Sequence, residues 1–229
     1  MISVVIPSFN AEAHLVPTLN ALIPAAIEGL VTEAILVDGG STDGTTDIAD
    51  AAGMEILRTE RGRGIQLKKG AEAAKSDWLL FLHADTVLDA DWIDHAAQFI
   101  GRIQRGERPP AAATFRFKLD DDGLRPWALE RWVALRFMLF RLPYGDQGLL
   151  IPRKLYEEIG GFQPMELMED VDLVRKLKRS QLVMLNTIAV TSAERYRREG
   201  YLARGLRNLS CLALYFFRLP SRMLARLYG

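Results

Sequence analysis

Apolar runs of strand length alternate with helix-length segments through the first half of the chain. The runs "ISVVIP", "EAILVD", "MEILRT" and "WLLFLHAD" are separated by "AEAHLVPTLNALIPAAIEGL", "DGTTDIADAA" and "GRGIQLKKGAEAAK". Such alternation favours a parallel, doubly wound sheet with helices on both faces. Ligands in that architecture bind outside the carboxyl ends of the strands, so the polar residues that close each strand matter most. With 229 residues, 49% of them hydrophobic, the chain can bury a substantial core and fits one large domain better than two small ones.

After Asp91 the pattern loosens. A helix is expected from about Trp92 to Arg105, then a "RGERPP" break, a strand "AAATFRFKL" and a "DDDG" turn. "PWALERWVALRFMLFRLP" reads as an amphipathic helix closed by Pro143, followed by a short strand "GLLIP" and a helix "RKLYEEIG". The last third predicts a helix over Met168–Arg179, two short strands around "LVMLNTIAVTS", and a C-terminal helix from about Glu199 to Phe217. No internal repeat is visible.

The formal net charge is zero, which argues against a general nucleic-acid binder. The charge is unevenly placed, however: from Arg195 onward there are eight Arg and one acid, Glu199. A basic tail on an acidic body suits phosphate or anionic lipid, and it equally suits a solvated helix face. Cys211 is the only cysteine, so an intrachain disulfide and a Cys-rich zinc site are excluded, and a reducing compartment fits. The start "MISVVIPSFN" has no basic flank and too short an apolar run to span a bilayer, and reads as a buried first strand.

The strand ends carry the candidate chemistry. Strand two ends in "VDGGSTDGT". Asp38 there can accept hydrogen bonds from a base or ribose, with Gly39 and Gly40 allowing close backbone approach; the rival reading is a turn that caps the next helix. Strand four ends in "LHADT", which would set His83 and Asp85 on the same side of an extended backbone, a spacing that can serve one metal ion. Alternatively, Asp85 caps a turn and His83 bonds within the core. In "MEDVDLVRKLKR" three carboxylates, Glu169, Asp170 and Asp172, crowd the first turn of a helix, where the macrodipole alone would favour them. Asp146 and Gln147 lie in "YGDQG", just before the strand "GLLIP", where a glycine turn entering a strand is the plain reading. The aromatic helix "PWALERWVALRFMLFRLP" could lie at a membrane interface, pack on the sheet or pair with a second copy, and burial is the commoner role for such a stripe.

Four blocks together carry a family resemblance: "SVVIPSFNAEAHLVPTLNAL", "EAILVDGGSTDGT", "DWLLFLHADT" and "GLLIPRKLYEEIGGFQPMELMEDVDLVRKLKR". In order and spacing they resemble an inverting glycosyltransferase of family 2. Within it, the chain is similar to a small bacterial branch associated with radical-SAM and arsenosugar-type gene neighbourhoods. The resemblance implies a GT-A fold, that is, a Rossmann-like doubly wound mixed sheet in a single domain. Residues 1–90 would form its nucleotide half, 91–195 its acceptor and catalytic half, and 196–229 a basic C-terminal helical segment. It implies that Pro7 and Asp38 belong to the nucleotide pocket, that Arg63 in "RGRGIQ" faces the nucleotide or diphosphate, and that His83 lies beside them. Asp85 would ligate a divalent ion, Mn2+ or Mg2+, that bridges the donor diphosphate, and Asp170 would be the catalytic base, positioned or tuned by Glu169. Asp146 and Gln147, which lie where the family lines its donor-sugar and acceptor site, would hydrogen-bond sugar hydroxyls.

The chain departs from the family pattern in two ways. His83 replaces the first acid of the Asp-any-Asp metal motif, and "SAERY", Ser192 to Tyr196, is only a degenerate echo of the processive Gln-any-any-Arg-Trp motif. The resemblance therefore implies addition of a single sugar from a nucleotide-diphosphate sugar, a UDP-sugar, to a small-molecule or lipid-linked acceptor. A cytoplasmic location, peripheral membrane contact and a homodimer all fit that reading. A sugar-phosphate nucleotidyltransferase is the rival enzyme, but "PSFNAEAHL" after strand one has no glycine to cradle a triphosphate. A noncatalytic binding protein is the third reading, against which Asp38, Asp85 and Asp170 all stand intact.

Overall fold

Strand-forming runs in the first half keep apolar residues on both sides because helices cover both sheet faces. The computed structural model describes residues 1–228. In chain order it contains β1 (Ile2–Ser8), α1 (Glu12–Asn20), α2 (Ile23–Ile27), β2 (Val31–Asp38), α3 (Thr45–Ala51) and β3 (Glu55–Arg58). Next come α4 (Arg63–Ala73), β4 (Trp78–Phe81), β5 (Thr86–Leu88), α5 (Trp92–Gln104), β6 (Ala112–Leu119) and α6 (Leu124–Phe140). The remainder is β7 (Leu149–Pro152), α7 (Arg153–Glu158), α8 (Glu169–Val174), β8 (Leu182–Thr191), α9 (Glu194–Glu199), α10 (Tyr201–Phe216) and α11 (Ser221–Tyr228).

All eight strands join one sheet in the order β3-β2-β1-β4-β7-β6-β8-β5. β1 is parallel to β2 and β4, and β2 to β3, while β7 runs antiparallel to β4 and β6. The sheet is thus mixed, with its parallel half built by the alternating first half of the chain. Side chains alternate across it. Ile2, Val4 and Ile6 pack with Leu15, Leu22 and Trp92 beneath α1, α2 and α5, whereas Val5, Val37 and Leu79 pack with Leu67 of α4, Val171 of α8 and Cys211 of α10.

The structure alters several expected elements. The first helical segment divides into α1 and α2, with Pro24 seated in the opening turn of α2, where a missing N–H is harmless. The two strands expected around "LVMLNTIAVTS" are one strand, β8. Against β6 its register advances from Met184 to Ile188 while β6 moves only from Thr114 to Arg116, so the extra residues form a bulge rather than a break. The helix expected over Met168–Arg179 stops at Val174, where the N–H groups of Lys176 and Leu177 turn to the carbonyls three residues back, Leu173 and Val174. Gly200, at φ 87°, separates α9 from α10, and Pro220 precedes α11, so the C-terminal segment is three helices. α6 packs on the sheet through Val133 and Phe137, but Trp127, Trp132, Met138 and Phe140 remain exposed. Among the described residues no helix is long and apolar enough to cross a membrane.

Candidate active site

The carboxyl ends of β1 and β4 open into a cleft of about 680 Å³, within the range of a small-molecule or cofactor site. Pro7, Ser8 and Phe9 from β1 and its loop form one wall, His83 and Asp85 another. His83 and Asp85 do not extend β4 as expected: the strand ends at Phe81, and both residues sit on the turn into β5. That turn still directs both into the cleft.

Asp38 lies beside Ser8 at the end of the neighbouring strand, but its carboxylate is turned inward. It accepts the N–H groups of Gly40 at 3.1 Å and Ser41 at 3.0 Å and the Ser41 hydroxyl at 2.5 Å, and it is 2% exposed. The cleft lining does not include it. Its visible work is to close the turn after β2, while the helix cap expected in that turn is not formed by a side chain: α3 opens at Gly44 with no side-chain cap. Buried Gln66 supports the same corner, donating at 2.7 Å to the carbonyls of both Ser8 and Val37.

A smaller pocket of about 90 Å³ adjoins the cleft and shares Arg63, His83 and Asp85 with it. Glu169 and Asp170, opening α8, and Tyr144, Gly145 and Asp146, preceding β7, complete its wall. Met168 adopts the left-handed region, φ 68°, unusual for a side chain of its size, and so aims the first turn of α8 at the pocket. Asp170 Oδ2 accepts the Gly145 N–H at 2.7 Å, which ties α8 to the loop before β7. Two close approaches fix the walls. A Cβ on Gly145 would fall 2.5 Å from His83 Nε2, and one on Gly64 would fall 2.3 Å from the Gln163 carbonyl oxygen, so Arg63 begins α4 flush against the segment leading to α8.

Burial and crowded charge set the protonation of this pocket. Burial, with help from Asp170, pushes the Glu169 carboxyl up to about 8 against the pull of Arg63. Asp146 rises to about 6, chiefly through burial, with Asp170 and Asp85 adding to the rise and Arg136 opposing it. His83 falls to about 3 because it is buried and faces Arg63, so its imidazole is neutral near pH 7. Although burial disfavours its charge, Arg63 is held more firmly protonated by the fields of Tyr228, Glu169, Asp85 and Asp170.

The wall shared by cleft and pocket offers few protein ligands to a divalent ion, and Asp85 is the carboxylate among them. Asp85 offers a carboxylate and His83 a neutral imidazole on one turn. Among the described residues no group of three or more His, Cys, Asp or Glu is placed to hold a metal ion by itself. Of the two residues expected to meet sugar hydroxyls, Asp146 reaches the pocket. Gln147 does not: it is fully buried, its Nε2 donates to the Phe115 carbonyl at 3.0 Å, and it holds the turn against β6. Residues not singled out from the sequence also line the cleft, notably Arg61 at its rim and Arg195, Arg198, Arg204 and Arg226 from the C-terminal helices. For the four C-terminal arginines the Arg-rich tail was the only signal.

A mixed sheet with a basic cleft at its parallel strand ends and a carboxylate pocket beside it defines an α/β protein of the GT-A type. The chain belongs to glycosyl transferase family 2, whose pattern matches residues 3–164. It is 37% identical over 103 residues to the PGL/p-HBAD biosynthesis glycosyltransferase of Mycobacterium tuberculosis, covering 38% of this chain and 40% of that protein. To the undecaprenyl-phosphate 4-deoxy-4-formamido-L-arabinose transferase of Aeromonas hydrophila it is 40% identical over 95 residues, 37% of this chain and 29% of that protein. The chain thus spans two fifths or less of the length of these curated relatives. Among solved structures it resembles S. aureus TarS 1-349, with TM-score 0.64 and 16% identity over 99% of this chain and 69% of that one. It also resembles M. tuberculosis glucosyl-3-phosphoglycerate synthase in complex with Mn2+, UDP and glucosyl-3-phosphoglycerate, with TM-score 0.56 and 20% identity over 84% of this chain and 70% of that one.

Proposed function

We propose that the chain is an inverting glycosyltransferase that moves one sugar from a UDP-sugar to an acceptor hydroxyl, with Asp170 as general base. One observation carries the reading: an Arg-lined cleft large enough for a small-molecule ligand and a carboxylate pocket meet along the shared wall of Arg63, His83 and Asp85. A donor laid across that wall would place its uridine near Pro7, its diphosphate by Arg63 and Arg195, and its sugar toward Asp146 and Asp170. Asp170 takes the acceptor proton while the acceptor oxygen bonds to the anomeric carbon from the opposite face, and the bond to the diphosphate breaks with its electron pair leaving on UDP. Glu169, held protonated near neutrality, keeps a second negative charge away from that base. Mn2+ or Mg2+ would be held by Asp85, with His83 available as a second ligand, and would offset the charge gathering on the leaving diphosphate. Within the family we assign the chain to the small bacterial branch tied to radical-SAM and arsenosugar-type gene neighbourhoods, acting on the cytoplasmic side of the membrane.

Calorimetric titration of UDP with and without Mn2+ tests the assignment. The wild type should bind UDP more tightly with the ion, and Asp85→Ala should lose most of that gain. Equal affinity with and without Mn2+ in the wild type would remove Asp85 from the metal role.

A further inference from the structure

We propose that the groove between α6 and α10 is the binding site for the hydrocarbon chain of a lipid alcohol, whose hydroxyl is the acceptor; this rests on the donor reading above. The groove measures about 730 Å³, within the range of a small-molecule site, and its walls are apolar. Ala128, Leu129 and Trp132 line it from α6, and Leu202, Leu206 and Leu209 from α10. These side chains face water with no cover from the rest of the fold: Leu202 is 84% exposed, Leu206 64%, Trp132 48% and Leu209 47%.

Its inner end identifies the occupant. Tyr144, Asp146, Tyr196 and Asn208 line both the groove and the Asp170 pocket, so the apolar trough runs into the reaction site. At that end three buried polar atoms have no hydrogen-bond partner, Arg136 Nη2, Asp146 Oδ1 and Asn208 Oδ1. The first is an obligate donor and the other two are acceptors. A hydroxyl satisfies both kinds at once, accepting from a guanidinium and donating to an acceptor oxygen, whereas a fully ionised head could pair with Arg136 but would leave Asp146 Oδ1 and Asn208 Oδ1 without a donor. A chain that is apolar along its length and ends in a neutral hydroxyl therefore matches the trough, its end and its neighbour. A second copy of the protein would cover the leucines but would supply no reason for the trough to continue into the pocket.

Bromoundecanol, below its micellar concentration, is the probe, because bromine quenches tryptophan and Trp132 lies in the groove. Wild-type fluorescence should be quenched saturably, the signal should shrink in Trp132→Phe, and bromoundecanol should bind at least tenfold more tightly than bromohexanol. Each fully buried methylene contributes up to about fourfold, equivalent to about 0.8 kcal/mol. Leu206→Glu, at an exposed position that tolerates charge, should weaken binding at least tenfold, while Ile27→Glu on the distant α2 should leave it unchanged. Non-saturable quenching, no dependence on chain length, or full binding by Leu206→Glu would overturn the proposal. So would a wild-type dimer that Leu206→Glu converts to monomer, which would give the face to a second copy. UDP calorimetry on the same samples separates the two readings. UDP binding without alcohol uptake defeats the groove alone, and alcohol uptake without UDP binding defeats the donor site and the groove's acceptor role with it.

Discussion

Asp170→Asn separates proton acceptance from architecture at the opening of α8. The Asp170 carboxylate accepts two backbone N–H groups, Gly145 through Oδ2 and Val171 through Oδ1, each at 2.7 Å. Asparagine keeps one acceptor oxygen and presents an NH2 group to the other donor, so one N–H loses its partner at a cost of about 1–3 kcal/mol. Removing the charge from the first turn adds about 0.3–1 kcal/mol. A domain with about 5–15 kcal/mol of stability still folds under that loss. Turnover should fall by about 10²- to 10⁴-fold, or about 2.7–5.4 kcal/mol of barrier, because a positioned base is gone.

Asp172→Asn is the matched control, since it removes a first-turn charge that faces elsewhere. Asp172 pairs with Lys176 at 2.9 Å and accepts the Tyr215 hydroxyl at 3.3 Å, with both members of the ion pair partly in solvent. Its loss should cost about 0.2–1 kcal/mol and leave turnover near wild type. The assay is UDP released from a UDP-sugar with Mn2+, beside UDP affinity by calorimetry and Tm by thermal denaturation. Equal losses of turnover in the two variants, or near wild-type turnover in Asp170→Asn, would refute the base assignment and leave the carboxylate as a tie between α8 and the loop before β7.

Three further outcomes follow from the same geometry. Asp38→Ala should lower stability by about 1–3 kcal/mol by releasing the turn N–H groups of Gly40 and Ser41, a drop of several degrees in Tm. Gly64→Ala should destabilise despite its better helix propensity, because about 1–3 kcal/mol of overpacking against the Gln163 carbonyl exceeds a gain of about 1 kcal/mol, and turnover should fall as Arg63 shifts. Stability should decline from about pH 6.5 to 8 as Glu169, raised from 4.5 to about 8 in the folded protein, gives up the proton it holds more tightly folded than unfolded. Below pH 6.5 the depressed His83 acts in the opposite sense and Asp146 in the same sense, so the upper window reads Glu169. Chemical denaturation across that window should show a flatter slope for Glu169→Gln, and an unchanged slope would remove Glu169 as its source.

The parallel half of the sheet was legible because each apolar run ends abruptly in polar residues, and those ends are where Pro7, His83 and Asp85 line the cleft. Apart from Arg63, the cleft's arginines were not. The tail shows an excess of Arg, but Arg204 and Arg226 reach the cleft only because the chain reverses around Gly200 and Pro220 and lays α10 and α11 back over it. Nothing local encodes that return. Gln147 misled for a related reason: neighbours in the short 3-10 turn Gly145–Gln147 point different ways, so adjacency to Asp146 placed it in the core.

The crowded acids of "MEDVDL" resolve by the same geometry. Successive helix residues point about 100° apart, so carboxylates adjacent in sequence disperse in space. Asp172 turns outward to Lys176, Asp170 faces the pocket beside Gly145, and Glu169 turns inward, 2% exposed. Favouring negative charge near a helix N-terminus requires no burial, and a surface carboxylate would serve the macrodipole equally well. Burying Glu169 works against that purpose, since it drives the group toward its neutral form, where it offers the dipole nothing. The left-handed Met168 directs this turn inward at its own backbone cost. Helix stabilisation therefore accounts for Asp172, whereas Glu169 and Asp170 are placed by the pocket they enclose.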